Sequence, residues 1–109
     1  MTATIKYQRR PAAPPQRDIQ AAIGEWGDKT FPSHHRPDGT PDASGPVWHL
    51  THYKTGEARE LAIAYFGGDM VAVANELADC AILLLTIAHL TGVDLETAIA
   101  VKMTTNRRS

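Results

Sequence analysis

Proline is missing from more than half of this chain: all seven prolines fall within the first 46 residues of the 109. That shift divides the sequence into an irregular N-terminal part and a helix-compatible remainder. Cysteine is scarcer still. The single Cys80 excludes an intrachain disulfide, points to a reducing compartment, and sits where an inert small core residue is expected. Charge of one sign is also lacking, since the net charge of −1 gives no global attraction to a nucleic acid polymer or an anionic membrane. The opening MTATIKYQRR has no apolar core of a secretory leader. The apolar run at 80–88 is too short to span a bilayer and has acids just upstream. No Gly-x-Gly-x-x-Gly, phosphate loop or nucleophile elbow occurs. These absences describe one soluble, cytoplasmic domain without a membrane partner.

What is there is organised around Asp69–Thr91, DMVAVANELADCAILLLTIAHLT, apolar on almost every side. A helix that is hydrophobic all round is a buried helix. This one nevertheless carries Glu76 and Asp79, three residues apart and so on one face, which continues as Leu83 and Thr86. A carboxylate held out of water costs several kcal/mol unless a cation lies beside it. The stretch supplies no Lys or Arg, so a metal ion is the economical candidate.

Along the chain, residues 1–16 hold Lys6, Arg9, Arg10 and three prolines, and read as a mobile arm. Residues 17–109 form the single all-α domain. From Arg17 to Trp26, Ile19, Ala22, Ile23 and Trp26 recur at helical spacing, and Gly24 and Gly27 limit that helix to about three turns. The stretch at about 27–45 is a long loop, either a lid or a link. A helix is expected from near Pro46 to about Tyr65, with Leu50, Tyr53, Glu57, Glu60 and Ala64 on its seam. Gly67 and Gly68 end it. The central helix follows, with Asp69 as N-cap and Gly92 at C′. A last helix starts at Asp94, with Leu95, Ala98 and Ile99 inward and Lys102 and Asn106 sharing a face. Three helices cannot cover the central one, and a bundle needs about four. The fold is therefore expected to be a helical bundle completed by oligomerisation.

Glu57, Glu60, Glu76 and Asp79 lie on inward seams of consecutive helices joined by a short turn, so antiparallel packing gathers them. Four carboxylates with no cation repel one another and take up protons. With hard divalent ions they become ligands, and oxygen-only ligation suits magnesium or manganese, leaving positions for water and phosphates. The competing reading is a proton-sharing cluster, or one paired with Arg59 or Lys54. A zinc site from His34, His35, His49 and His52 has irregular spacings and one cysteine against it.

Three stretches carry a resemblance: GEARELA, then fifteen residues between Glu60 and Glu76, then ELADCAILLL, then GVDLETAIAVKMTTNRR. Together they resemble the MazG-like all-α nucleotide pyrophosphohydrolases, whose signature is Glu-Glu-x-x-Glu, a variable spacer, Glu-x-x-Asp, and a late Lys followed by an Asn. The likeness covers about 46–108, and Trp26, Thr30-Phe31-Pro32 and Gly45-Pro46 are similar to a short phage-type branch. It implies hydrolysis of a nucleoside triphosphate to monophosphate and pyrophosphate with Mg2+ or Mn2+; the four acids leave room for two or more ions per site, and the uncovered central helix asks for a dimer or tetramer. On this resemblance Glu57, Glu60, Glu76 and Asp79 are metal ligands. Glu57 and Glu60 are catalytic, Glu57 orienting or deprotonating the water. Lys102 acts on the phosphates and Asn106 on the nucleotide. The first signature acid is Gly56 here, a departure that bears on the number of metals and removes one carboxylate base. That glycine, expected within a helix, would cost about 1 kcal/mol relative to alanine and admit a close backbone approach.

Trp48 and Tyr53 are candidates to stack on the base, as are Trp26, Phe31 and the His34–His35 pair, although core packing accounts for each aromatic equally well. The phage branch favours a purine such as dGTP, and a phage-encoded protein would act in the host cytoplasm. Two other classes stand beside this one: a non-catalytic helical oligomer, and an oxygen-activating di-metal bundle. The latter normally carries Glu-x-x-His, which none of Glu57, Glu60, Glu76 and Glu96 begins.

Overall fold

The computed structural model describes residues 18–108, so the arm at 1–16 lies outside the described residues. Among the described residues five α-helices follow one another: α1 (Ile19–Thr30), α2 (Ser44–Thr51), α3 (Glu57–Gly67), α4 (Met70–Thr91) and α5 (Leu95–Arg108), and the protein is all-α as expected. A short 3-10 turn, Pro32–His34, follows α1. The remainder of the connection to α2 is tied by an isolated bridge between His35 and Pro41.

Helix α4 is the axis, and α1, α2 and α3 all pack on it. Its ends are where the capping chemistry puts them. The Asp69 carboxylate accepts from the backbone N–H of Val71 (3.0 Å) and Ala72 (3.2 Å). Gly92 closes the other end in the left-handed region, at φ 72°. Gly68, also left-handed, turns the chain sharply between α3 and α4 and makes them antiparallel neighbours.

The expected helix from Pro46 to Tyr65 is two helices. It starts at Ser44, breaks after Thr51 and resumes at Glu57, so the seam drawn through Leu50, Tyr53 and Glu57 crosses a turn. Gly56 is therefore the residue before a helix and not within one. Its dihedrals are ordinary, and what it provides is room. A Cβ there would lie 2.5 Å from the His52 carbonyl oxygen, 2.7 Å from the His52 nitrogen and 2.8 Å from the Leu50 carbonyl oxygen. The Gly56 N–H donates to that His52 oxygen at 2.7 Å, closing the turn.

Helix α1 differs from expectation in how it packs. Its apolar stripe stays open, with Ile19 58 % and Trp26 51 % exposed. Its buried residues are Gly24 and Gly27, inside the helix, which runs on to Thr30. A Cβ at Gly24 would fall onto the His89 imidazole, so the glycine lets α1 lie close against α4. Asp28 then fastens the contact: its carboxylate takes His89 Nε2 at 2.9 Å and faces His35 Nε2 at 3.7 Å. At the other end, the Gln20 amide donates to the Val93 carbonyl (2.6 Å) and accepts from the Leu95 N–H (3.0 Å).

Helix α5 has no buried residue. Ala98 and Ile99, expected inward, are exposed in the single chain. Among the described residues no large side chain is fully buried. Length and composition alone would let α4 cross a membrane, although three helices pack along it.

Candidate functional site

Two acids arrive from the first turn of α3 and the middle of α4 with a third beside them. Carboxylate oxygens of Glu57, Glu76 and Asp79 lie within 4.8 Å of one another. Glu57 and Glu76 are half-buried and Asp79 is exposed. The local cause is the Gly67–Gly68 turn, which folds the Glu57 face of α3 onto the Glu76–Asp79 face of α4. Glu60 is half-buried one turn further along α3. It stands outside the convergent group but near enough for its charge to act on Glu76.

The electrostatics are those of crowded acids. Burial first, then the hydrogen bond a protonated Glu76 makes with Glu57, and then the charges of Glu57, Asp79 and Glu60, push the Glu76 carboxyl above the ordinary glutamate value. Its Oε2 is buried and accepts no hydrogen bond from a donor group among the described residues. Neither Arg59 nor Lys54 pairs with the acids among the described residues. Lys54 Nζ lies instead over the Tyr53 ring at 5.6 Å. The neighbour of Glu57 is His49, Nε2 to Oε1 3.4 Å. Sequence reasoning missed this pair, since it depends on the turn at His52–Gly56.

An all-oxygen donor set with an orphaned buried carboxylate oxygen fits a hard divalent ion. The histidines join no such group among the described residues. His52 Nδ1 engages the Thr55 hydroxyl at 3.1 Å, and its ring lies between those of Trp48 (4.2 Å) and Tyr53 (5.1 Å).

The repulsion has a thermodynamic consequence. A carboxyl whose pKa is raised by folding holds a proton that the unfolded chain would release. Its contribution to stability is fully present below the unfolded value and is lost as pH rises through the raised folded value. With divalent ions chelated, the melting temperature contribution of Glu76 is expected to fall as pH rises from the ordinary glutamate value of 4.5. Thermal melts of wild type and Glu76→Gln across that range check it: the difference between them should widen with pH. A constant difference would count against the crowding.

Beside the acids opens a cleft of about 430 Å3, lined by Glu57, Asp79 and His49 and by the apolar or aromatic Trp26, Phe31 and Leu83. Thr86, expected on the acidic face, also lines it. Its hydroxyl donates to the Ile82 carbonyl at 2.7 Å, leaving a mainly apolar wall. Trp48 and Tyr53 are not in the lining and are largely exposed. Lys102 and Asn106 lie on exposed α5, away from the lining.

The sequence profile of the phosphoribosyl-ATP pyrophosphohydrolase family matches residues 30–102, which include every acid of the cluster. The chain belongs to this family. Phosphoribosyl-ATP pyrophosphohydrolases are part of the MazG-like all-α superfamily, so the resemblance carried by the acidic motifs holds. A relative described as a dATP/dGTP diphosphohydrolase, from Salmonella phage PMBT28, is 38% identical over 91 residues. The matched region is 84% of this chain and 26% of that protein, so the chain spans about a quarter of its relative's length. No solved structure matches significantly.

Proposed function

We propose that this phosphoribosyl-ATP pyrophosphohydrolase family member hydrolyses a purine (deoxy)nucleoside triphosphate, such as dGTP, to the monophosphate and pyrophosphate. The observation that carries this is the convergence of Glu57, Glu76 and Asp79, the first and last of which line a cleft large enough for a nucleoside. The phage relative's name favours a purine deoxynucleotide.

Glu57, Glu76 and Asp79 would hold Mg2+ or Mn2+, with Glu60 joining them when more than one ion is taken. The bound ion supplies charge neutralisation of the phosphates and a more acidic water. The chain's own contribution is positional. Glu57, beside His49, is the group that orients the attacking water and accepts its proton, which the imidazole can relay. The apolar wall receives the base and excludes water. Lys102 would meet the phosphates as a point cation and Asn106 the nucleotide. Both lie on α5, whose open apolar side includes Ile99 and Met103. A homo-oligomer, dimer or tetramer, would cover that side and bring such a helix to a cleft. In a phage setting the reaction would take place in the host cytoplasm.

The test is a panel of nucleoside triphosphates and phosphoribosyl-ATP with Mg2+ and with Mn2+, measuring pyrophosphate. Release from a purine triphosphate is expected, and silence across the panel would refute the proposal. Lys102→Ala is expected to lower turnover about 10²-fold while leaving manganese-induced thermal stabilisation intact. Loss of that stabilisation in Lys102→Ala would place the lysine in the metal site or the fold instead.

A further inference from the structure

The cleft is lined by a buried polar side chain that the fold does not use. His34 is 9% exposed. It sits in the 3-10 turn after α1, its ring tilted over Phe31 at 4.9 Å. Its Nδ1 has no accessible surface and no hydrogen-bond partner, and lies 3.5 Å from where a Gly27 Cβ would be. Its Nε2 also has no partner among the described residues but keeps accessible surface, and the residue lines the cleft. An unpaired buried polar group costs about 1–3 kcal/mol. A leucine or methionine would build this wall without that cost, whereas the imidazole presents an unpaired Nε2 at the cleft.

The ring's chemistry narrows the ligand. Burial first, with help from the nearby His35 and His89 and against the pull of Asp28, holds the imidazole below its ordinary pKa. A neutral ring has one N–H and one bare nitrogen. Orphaned buried N–H groups are rarer than under-used acceptors, which leaves Nδ1 bare and the proton on Nε2. The cleft therefore offers this ring N–H beside an aromatic wall, where Trp26 meets Phe31 edge-on at 5.3 Å, with Ser33 also in the lining. Asp79 and Thr86 both line the cleft and lie about 10 Å apart along α4, room for phosphates at one and a base near the other.

We propose that His34 is a specificity-determining residue, its Nε2–H donating to N7 of a purine seated in the cleft. Adenine and guanine share that acceptor, and no pyrimidine has it, so one imidazole admits both purines. The inference rests on the nucleotide-hydrolase reading and adds how the base is chosen.

The test compares dGTP, dATP, 7-deaza-dGTP and dTTP as substrates for wild type and His34→Phe, which keeps a flat ring and removes the donor. Wild type is expected to favour dGTP over 7-deaza-dGTP by about tenfold in kcat/KM, the size of one hydrogen bond. His34→Phe should erase that preference while still turning over 7-deaza-dGTP. Equal use of the two by wild type, or a preference that survives in His34→Phe, overturns the proposal. The wild-type comparison needs no variant, so misfolding of His34→Phe cannot protect it. Calorimetric binding of dGMP against 7-deaza-dGMP makes the same judgement without turnover. A protein that releases no pyrophosphate but binds dGMP tenfold better refutes the hydrolase reading and leaves His34 standing.

Discussion

Asp79→Asn is expected to lower pyrophosphate release about 10²-fold or more and to weaken manganese binding, while the fold survives. The substitution keeps the shape of a side chain on the exposed side of the cluster and removes one of three convergent charges. If those charges hold an ion, the ion loses a ligand and the phosphates lose their neutralisation, a loss of this size for preorganised electrostatic contacts. The apo protein should respond the other way. Asp79 is among the charges that push the Glu76 carboxyl upward, so removing it relieves repulsion and leaves the metal-free melting temperature unchanged or higher. Wild-type protein should melt higher with manganese, since an ion that binds only the folded state stabilises it, and Asp79→Asn should lose most of that gain. Wild-type turnover and manganese affinity in the variant would remove the proposed site. A large drop in apo stability would make the acids structural partners.

The second large effect concerns the missing signature acid. Restoring it by Gly56→Glu is expected to damage the protein. The position has no space for a Cβ: three backbone atoms, from His52 and Leu50, would lie within 2.8 Å of it. Backbone cannot swing aside as a side-chain tip can, so the turn before α3 must shift, at a cost of about 1–3 kcal/mol for overpacking. Glu57 is the next residue. A displacement of about 1 Å at a catalytic group costs about 10²-fold in rate. Gly56→Ala should show the same two losses without any new charge. An active, equally stable Gly56→Glu would mean that the turn adjusts freely and that the glycine is incidental.

What the sequence made legible follows from local chemistry. Asp69 and Gly92 bound α4 because their roles need only their immediate neighbours. The approach of Glu57 to Glu76 and Asp79 was readable because a two-glycine turn between seams leaves few other arrangements. The break at His52–Gly56 was not. His-Tyr-Lys-Thr-Gly contains no proline, and what interrupts the helix is non-helical backbone at His52 (ψ 128°) and Gly56 (ψ 155°), a change of course that periodicity does not record. Gly24 and Gly27 were misread for a related reason. A glycine looks like a helix breaker in propensity, yet both lie inside the helix, and at Gly24 the missing Cβ is the packing surface that receives His89. The inward face of α5 remained out of reach because the chain alone gives it nothing to face.

The two ends of α1 also have a kinetic meaning. Asp28 reaches His89 across 61 residues of chain, and Gln20 reaches Val93 and Leu95 across 73 and 75. The α3–α4 hairpin closes over a two-glycine turn instead. Loop entropy must be spent before distant contacts repay it, so the hairpin carrying the carboxylates can assemble before α1 arrives. Amide hydrogens of Ile19–Thr30 should then exchange sooner than those of Glu57–Gly67, and equal protection of the two helices would show otherwise. The cleft wall built from Trp26, Phe31 and His34 would thus be the last part to set during folding and the first to peel away, leaving the acids of α3 and α4 behind in place.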